Sequence, residues 1–162
     1  MVNTYIDDSS DPKRERYIAC GGLIAHEDVW DGFDLLWLSE THMLEQPFRS
    51  TECECQHGQF SGWSKADCTK LMAGLVSLLI KRDIPGFATV VSVADFRAVF
   101  PGAREYDPYR LCVLHTIITM ADMVSKHGPT ESLKFCFEDS DATNGKTHEI
   151  YSQLQNNRSW KD

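Results

Sequence analysis

Apolar positions along the chain recur first with a period of two, then with the wider spacing of helices. Val2–Asp8 alternates loosely and reads as a strand that runs into two adjacent carboxylates, Asp7 and Asp8. A polar loop with Pro12 follows, and Tyr17–Ile24 reads as the hairpin partner. The Gly21-Gly22 pair inside it marks a bulge or a close backbone approach. Trp30, Phe33, Leu36 and Trp37 recur at helical spacing, which predicts an amphipathic helix to about Met43. Residues 48–62 show no period. The Ser64 to Asp67 spacing is that of a capping box, and it starts a helix to about Arg82 with Leu71, Leu75, Leu78 and Leu79 inward. Phe87–Phe96 is rich in strand-forming residues and reads as a mostly buried strand. Asp107, with Pro108 at the first helical position, opens a long helix that Gly128-Pro129 closes. Ser132–Phe137 is a fourth strand, Asn144-Gly145 a turn, and 146–155 a last helix. The order β-β-α-α-β-α-β-α predicts an α/β protein with a mixed sheet flanked by helices.

Length and composition narrow this. The 162 residues suit a single domain, 1–162, and 42% apolar residues suffice for a core. The N-terminal stretch lacks a basic region followed by an apolar run, and no window approaches the roughly 18 apolar residues of a membrane span. The six cysteines are therefore expected as reduced thiols in a cytoplasmic protein. The balance of 16 basic against 24 acidic residues, net −8, argues against a simple electrostatic grip on nucleic acid. It leaves room for an enzyme acting on phosphates, because bound divalent cations invert the field of an acidic cluster.

The acids have a pattern. Y-I-D-D-S-S-D at 5–11 and F-C-F-E-D-S-D at 135–141 are both apolar strands that end in carboxylates. Brought together, Asp7, Asp8, Glu138 and Asp139 would repel one another unless a cation neutralised them. Oxygen-only ligation suits Mg²⁺ or Mn²⁺. The plainer explanation is a pair of solvated acidic loops. The segment F-R-S-T-E-C-E-C-Q-H, 48–57, would if extended carry Glu52, Glu54 and Gln56 on one face and Cys53, Cys55 and His57 on the other. The second face could take zinc with Cys68 as a fourth ligand, but C-x-C is tighter than structural zinc sites use, and small buried cysteines are the simpler expectation. Glu52 could complete a metal site with the strand-end acids, and His57 could serve as general base or ligand. On the long helix, Leu111, His115, Ile118 and Asp122 share a face, so His115 is expected as a satisfied core histidine. Asp122 lies against the helix dipole and is a further candidate. Lys13-Arg14-Glu15-Arg16 reads as a solvated loop tip, with phosphate contact as the alternative. Trp63 is expected to pack rather than to stack on a base.

Taken in order, Y-I-D-D-S, G-G-L-I-A, F-R-S-T-E-C-E-C-Q-H-G-Q-F-S-G-W-S, D-P-Y-R-L-C and F-C-F-E-D-S-D-A-T-N-G-K-T-H-E-I-Y resemble the blocks of a bacterial and phage family, the domain of unknown function DUF 3800. The resemblance covers nearly the whole chain. It implies an RNase H-like fold and a metal-dependent nuclease. Asp7 matches the first motif's Asp, Asp8 its Glu, Glu52 and His57 the acidic loop after the first helix, and Asp139, with Glu138 beside it, the acid after the later strand. Ser10 stands where the family usually has Gly. Members usually continue to a further helix with a Q-x-A-D-like motif, which is not found before the final S-W-K-D.

Two functions stay open on this reading. The first is a phosphodiesterase hydrolysing nucleic acid with Mg²⁺ or Mn²⁺, in which Asp7, Glu52 and Asp139 hold metal and His57 relays protons. The second is a catalytically inactive RNase H-like module that binds a protein partner. No membrane is expected to be involved. Without the C-terminal acid the chain is expected to be nearly inactive alone. It is also expected to be either a homodimer or a truncated fragment of a longer protein, with apolar surface exposed near the helix of 146–155.

Overall fold

The computed structural model describes residues 1–11, 13–104, 107–128, 132–137 and 144–156. In chain order the elements are β1 (Val2–Ser10), β2 (Tyr17–His26), α1 (Glu27–Thr41), α2 (Ser50–Cys55), a 3₁₀ turn (Gly58–Phe60), α3 (Lys65–Lys81), β3 (Gly86–Ser92), α4 (Val93–Val99), α5 (Asp107–His127), β4 (Leu133–Phe137) and α6 (Asn144–Asn156). Among the described residues this is an α/β protein with a four-stranded mixed sheet and six α-helices. The chain divides into two compact units, residues 1–24 with 86–162, and residues 25–85.

The first unit is built on the sheet, in the order β3-β2-β1-β4. β2 and β3 are antiparallel, with Tyr17 opposite Ser92 and Leu23 opposite Gly86. β1 and β4 are parallel, with Val2 opposite Leu133 and Ile6 opposite Phe137. Side chains alternate across a strand. Val2, Thr4 and Ile6 are therefore buried on one face, while Tyr5 and Asp7 are exposed on the other. The buried face meets Cys112, Val113, Ile117 and Met120 of α5 and Ile150 of α6. Each fully buried Ile or Met contributes roughly 1.5–3 kcal/mol. Polar bonds fix the docking: Thr116 Oγ1 donates to the Cys20 carbonyl at 3.3 Å, and Cys112 Sγ donates to the Thr89 carbonyl at 3.2 Å. Gly22 is the close approach the sequence marked. A Cβ there would lie 2.6 Å from the Tyr5 carbonyl oxygen and 2.9 Å from both Ile6 and Met120.

The second unit is helical. α1 and α3 pack antiparallel, since Gly32 lies beside Arg82 and Gly74 beside Glu40. Trp30, Phe33, Phe60, Leu71, Leu75 and Leu78 are buried in it. Successive ring contacts run from Trp30 through Phe33, Trp37, Phe48 and Phe60 to Trp63, with centroids 5.3–6.0 Å apart, so Trp63 packs. Ser64 caps α3 by accepting the Asp67 N–H at 3.1 Å.

Four local expectations are corrected. The strand expected over 87–96 ends at Ser92, whose hydroxyl oxygen accepts the Asp95 N–H and caps α4. Within the stretch 48–62, read as irregular, Ser50–Cys55 is the helix α2. These two helices make the observed order β-β-α-α-α-β-α-α-β-α. Asn144-Gly145 begins α6 instead of forming a separate turn. The stripe Leu111, His115, Ile118 and Asp122 faces solvent, because the core side of α5 is the one with Cys112, Thr116 and Met120. No helix among the described residues is long and apolar enough to cross a membrane.

Candidate functional site

β1 and β4 are parallel neighbours in register, so Ile6 and Phe137 stand side by side as both strands approach their acids. Glu138 and Asp139 lie outside the described residues. At the end of β1 the alternation separates the two aspartates. Asp7 continues the exposed face of Tyr5 and stands at a groove of about 820 Å³ floored by Gly21, Leu23, Gly86 and Ala88, with Cys136 alongside. Asp8 continues the face of Ile6 and, together with Asp7, borders a small cleft lined by Cys20, Tyr109 and Thr147. Asp7 Oδ1 accepts the Asp8 N–H at 2.7 Å, which fixes the carboxylate against its own backbone.

The hairpin loop supplies a cation to this end of the strand. Arg14 Nη2 lies 3.7 Å from Asp8 Oδ2, with the two side chains 36% and 20% exposed. Arg14 has a left-handed backbone, φ +54°, which L residues adopt at a cost. Its N–H donates to the Asp11 carbonyl at 2.8 Å. The Asp11 carboxylate is buried and accepts the N–H groups of Glu15, Arg16 and Tyr17 at 2.9–3.3 Å. Burial alone would push the Asp11 carboxyl up, but those three donors and the Arg16 charge outweigh it and hold it down at about 2. Sequence reading passed over Asp11. The available signal was an Asp before a Pro in a loop between two strands, the type of residue that bonds the backbone a few positions on.

Glu52 and His57 belong to the helical unit. Glu52 is half buried on α2, and its carboxylate lies over Gly58, where a Cβ would come within 2.6 Å of Oε2. Gly58 has φ +57° and Gln56 φ +54°, so the chain turns sharply here, with the His57 N–H donating to the Glu52 carbonyl at 2.9 Å. The His57 side chain is exposed. Because α2 is helical, the two faces that an extended chain would have do not form. Cys53 is fully buried with Sγ donating to the Cys68 carbonyl at 3.7 Å, whereas Cys55 is exposed. Helical geometry thus parts the sulfur ligands that an extended chain would have aligned. On α5, His115 stacks on Phe87 and its Nδ1 is 3.1 Å from Thr89 Oγ1, while Asp122 pairs with Lys126 one turn on.

Asp7 and Asp8 offer oxygen alone, the donor type of Mg²⁺ or Mn²⁺. The guanidinium beside Asp8 is a cation already drawn to this point. Among the described residues no three acidic, histidine or cysteine side chains converge as a metal-binding group. No family model matches the chain, and no curated protein matches it.

Proposed function

We propose that the chain is a metal-dependent phosphodiesterase acting on nucleic acid, on the RNase H-like fold that its resemblance to the DUF 3800 family implies. The observation that carries the reading is the parallel register of β1 and β4, which brings Ile6 and Phe137, the residues before Asp7 and Glu138 in the sequence, side by side at the same end of the sheet. Asp7, Asp8, Glu138 and Asp139 are the residues that would hold Mg²⁺ or Mn²⁺. A divalent ion so held lowers the pKa of a bound water and neutralises charge on the phosphate. Asp7, anchored by the Asp8 N–H, keeps one carboxylate oxygen in fixed orientation. The groove floored by Gly21, Leu23 and Ala88 runs from Asp7 across the sheet and gives an extended strand room to lie flat. The net charge of −8 makes binding of a polyanion depend on cations. The test is thermal melting with and without Mn²⁺, followed by Mn²⁺-dependent cleavage of single- and double-stranded DNA and RNA. The reading requires a rise in Tm that Asp7→Asn removes, since binding to the native state stabilises by mass action.

A second reading rests on a different observation. Leu35 and Leu38 on α1 and Val76 and Ile80 on α3 are largely exposed, which favours an inactive module that binds a protein or a second copy of itself. An unchanged Tm in Mn²⁺, with a solution mass above one chain, supports that reading over the first.

A further inference from the structure

We propose that the outer face of the α1–α3 pair is a self-association surface: a second copy of the chain seats its α1 on α3, and its α3 on α1, about a two-fold axis. The inference rests on reading the exposed apolar patch of α1 and α3 as an interface. It commits that patch to one occupant and holds whether or not the chain is catalytic.

The patch is continuous across the two helices. α1 turns Trp30 and Phe33 inward, and α3 turns Cys68, Leu71, Leu75 and Leu78 inward. Leu35 and Leu38 on α1 are 72% and 64% exposed, and Val76 and Ile80 on α3 are 52% and 73% exposed. Residues three or four apart share a helix face. Each pair lies on the side of its helix away from the buried residues, so the four face the same way. The antiparallel packing sets their levels. Gly32 lies beside Arg82 and Gly74 beside Glu40, so Leu38 stands level with Val76 and Leu35 within a residue of Ile80. Contiguous apolar surface of this kind marks an interaction site, where single scattered residues would not.

Charge decides what covers it. α1 carries Glu27, Asp28, Asp31, Asp34 and Glu40 and no base, all exposed. α3 carries Lys65, Lys70 and Lys81 against Asp67, with Arg82 next in the chain, and these too are exposed. Among the described residues no acid of α1 forms an ion pair with a base of α3. A partner of one sign would suit one helix and be repelled by the other. A second copy suits both. A two-fold axis parallel to the helices lays α1 of one copy antiparallel on α3 of the other, at the level it holds in its own chain. Leu35 and Leu38 then meet the partner's Ile80 and Val76, and Asp31 and Asp34 flank the partner's Lys81 and Arg82. A two-fold axis across the helices would lay α1 on α1, acid against acid, so the charges select the first arrangement.

Sedimentation equilibrium of the full chain over a dilution series tests this. The mass should rise with concentration from one chain to two. Leu38→Glu or Ile80→Glu sets a charge in the patch and should weaken association about tenfold or more. Circular dichroism and melting establish that each variant is folded. The charges give a readout that a non-specific apolar contact would not. Asp31→Lys with Asp34→Lys makes that half of α1 basic, and Lys81→Glu with Arg82→Glu makes the end of α3 acidic. Each doubly substituted chain alone should associate more weakly than the native chain, and a mixture of the two should recover association as a one-to-one complex. A native chain that stays a monomer overturns the second copy as occupant and leaves the patch to a different partner. A dimer that neither Leu38→Glu nor Ile80→Glu weakens overturns the patch as an interface as well. A dimer that both weaken, with no recovery in the mixture, overturns the pairing of α1 with α3.

Discussion

Asp7 and Asp8 are adjacent in sequence and leave β1 on opposite faces of the sheet. Asp7 stands with Tyr5 over the open groove, and Asp8 stands with Ile6 toward Cys20 and Tyr109, met by Arg14. The two carboxylates therefore have different surroundings. The one on the open face borders the groove. The one on the core face is placed to tie the strand end to the hairpin loop.

The hairpin loop depends on Asp11, and this gives a pH signature. The folded carboxyl titrates at about 2 against an ordinary 3.8. A depressed folded pKa stabilises fully above the unfolded value and loses that contribution as the pH falls through the folded one. Asp11→Asn should therefore be less stable than the native chain at pH 7, with the gap closing between about pH 4 and pH 2. Urea denaturation across that range measures it, and a gap that stays constant would contradict the charge-based account.

Gly58 holds the turn that aims Glu52. Gly58→Ala would meet Glu52 Oε2 at 2.6 Å at a backbone φ of +57°. The left-handed conformation alone costs about 1–2 kcal/mol for an L side chain. The variant should lose at least that much in denaturant unfolding. A stability within error of the native chain would mean the turn relaxes and does not constrain Glu52.

Thiol reactivity follows burial. Burial pushes the Cys112 thiol up to about 12, and those of Cys20 and Cys53 up to about 11. Only the thiolate attacks a disulfide reagent. At pH 8 the exposed Cys55 should react fastest, with the half-buried Cys136 beside the groove next, and Cys55→Ser should remove the fastest phase. Survival of the fast phase in the variant would place the reactive thiol elsewhere.

Much of this fold was legible because its signals were local and strong. Trp30, Phe33 and Trp37 gave α1, Ser64 with Asp67 gave the start of α3, and Pro108 gave that of α5. The same capping signal stood at Ser92 and Asp95, but the β-branched run before it masked the change from strand to helix, so α4 was missed. At 50–55 two glutamates alternating with two cysteines imitate a strand, and only the burial of Cys53 against α3 selects the helix. The face of α5 was misjudged because His115 and Leu111 follow the same spacing as the true core stripe, and only the sheet decides which stripe is buried. Of the candidate site, the acids at the strand end were readable. The arginine that faces Asp8 was not, because a loop conformation fixed by one carboxylate and three N–H groups has no period in the sequence.

The central claim is that the ends of β1 and β4 share a metal. Crystals of the full chain soaked in Mn²⁺ and measured at a wavelength where manganese scatters anomalously test it most directly. The account predicts a difference peak beside Asp7 at the end of β1, within ligand distance of a carboxylate from the residues that follow Phe137, and lost in Asp7→Asn. A peak confined to another site, such as His115, or none at the end of β1 in crystals that retain the fold, would contradict it.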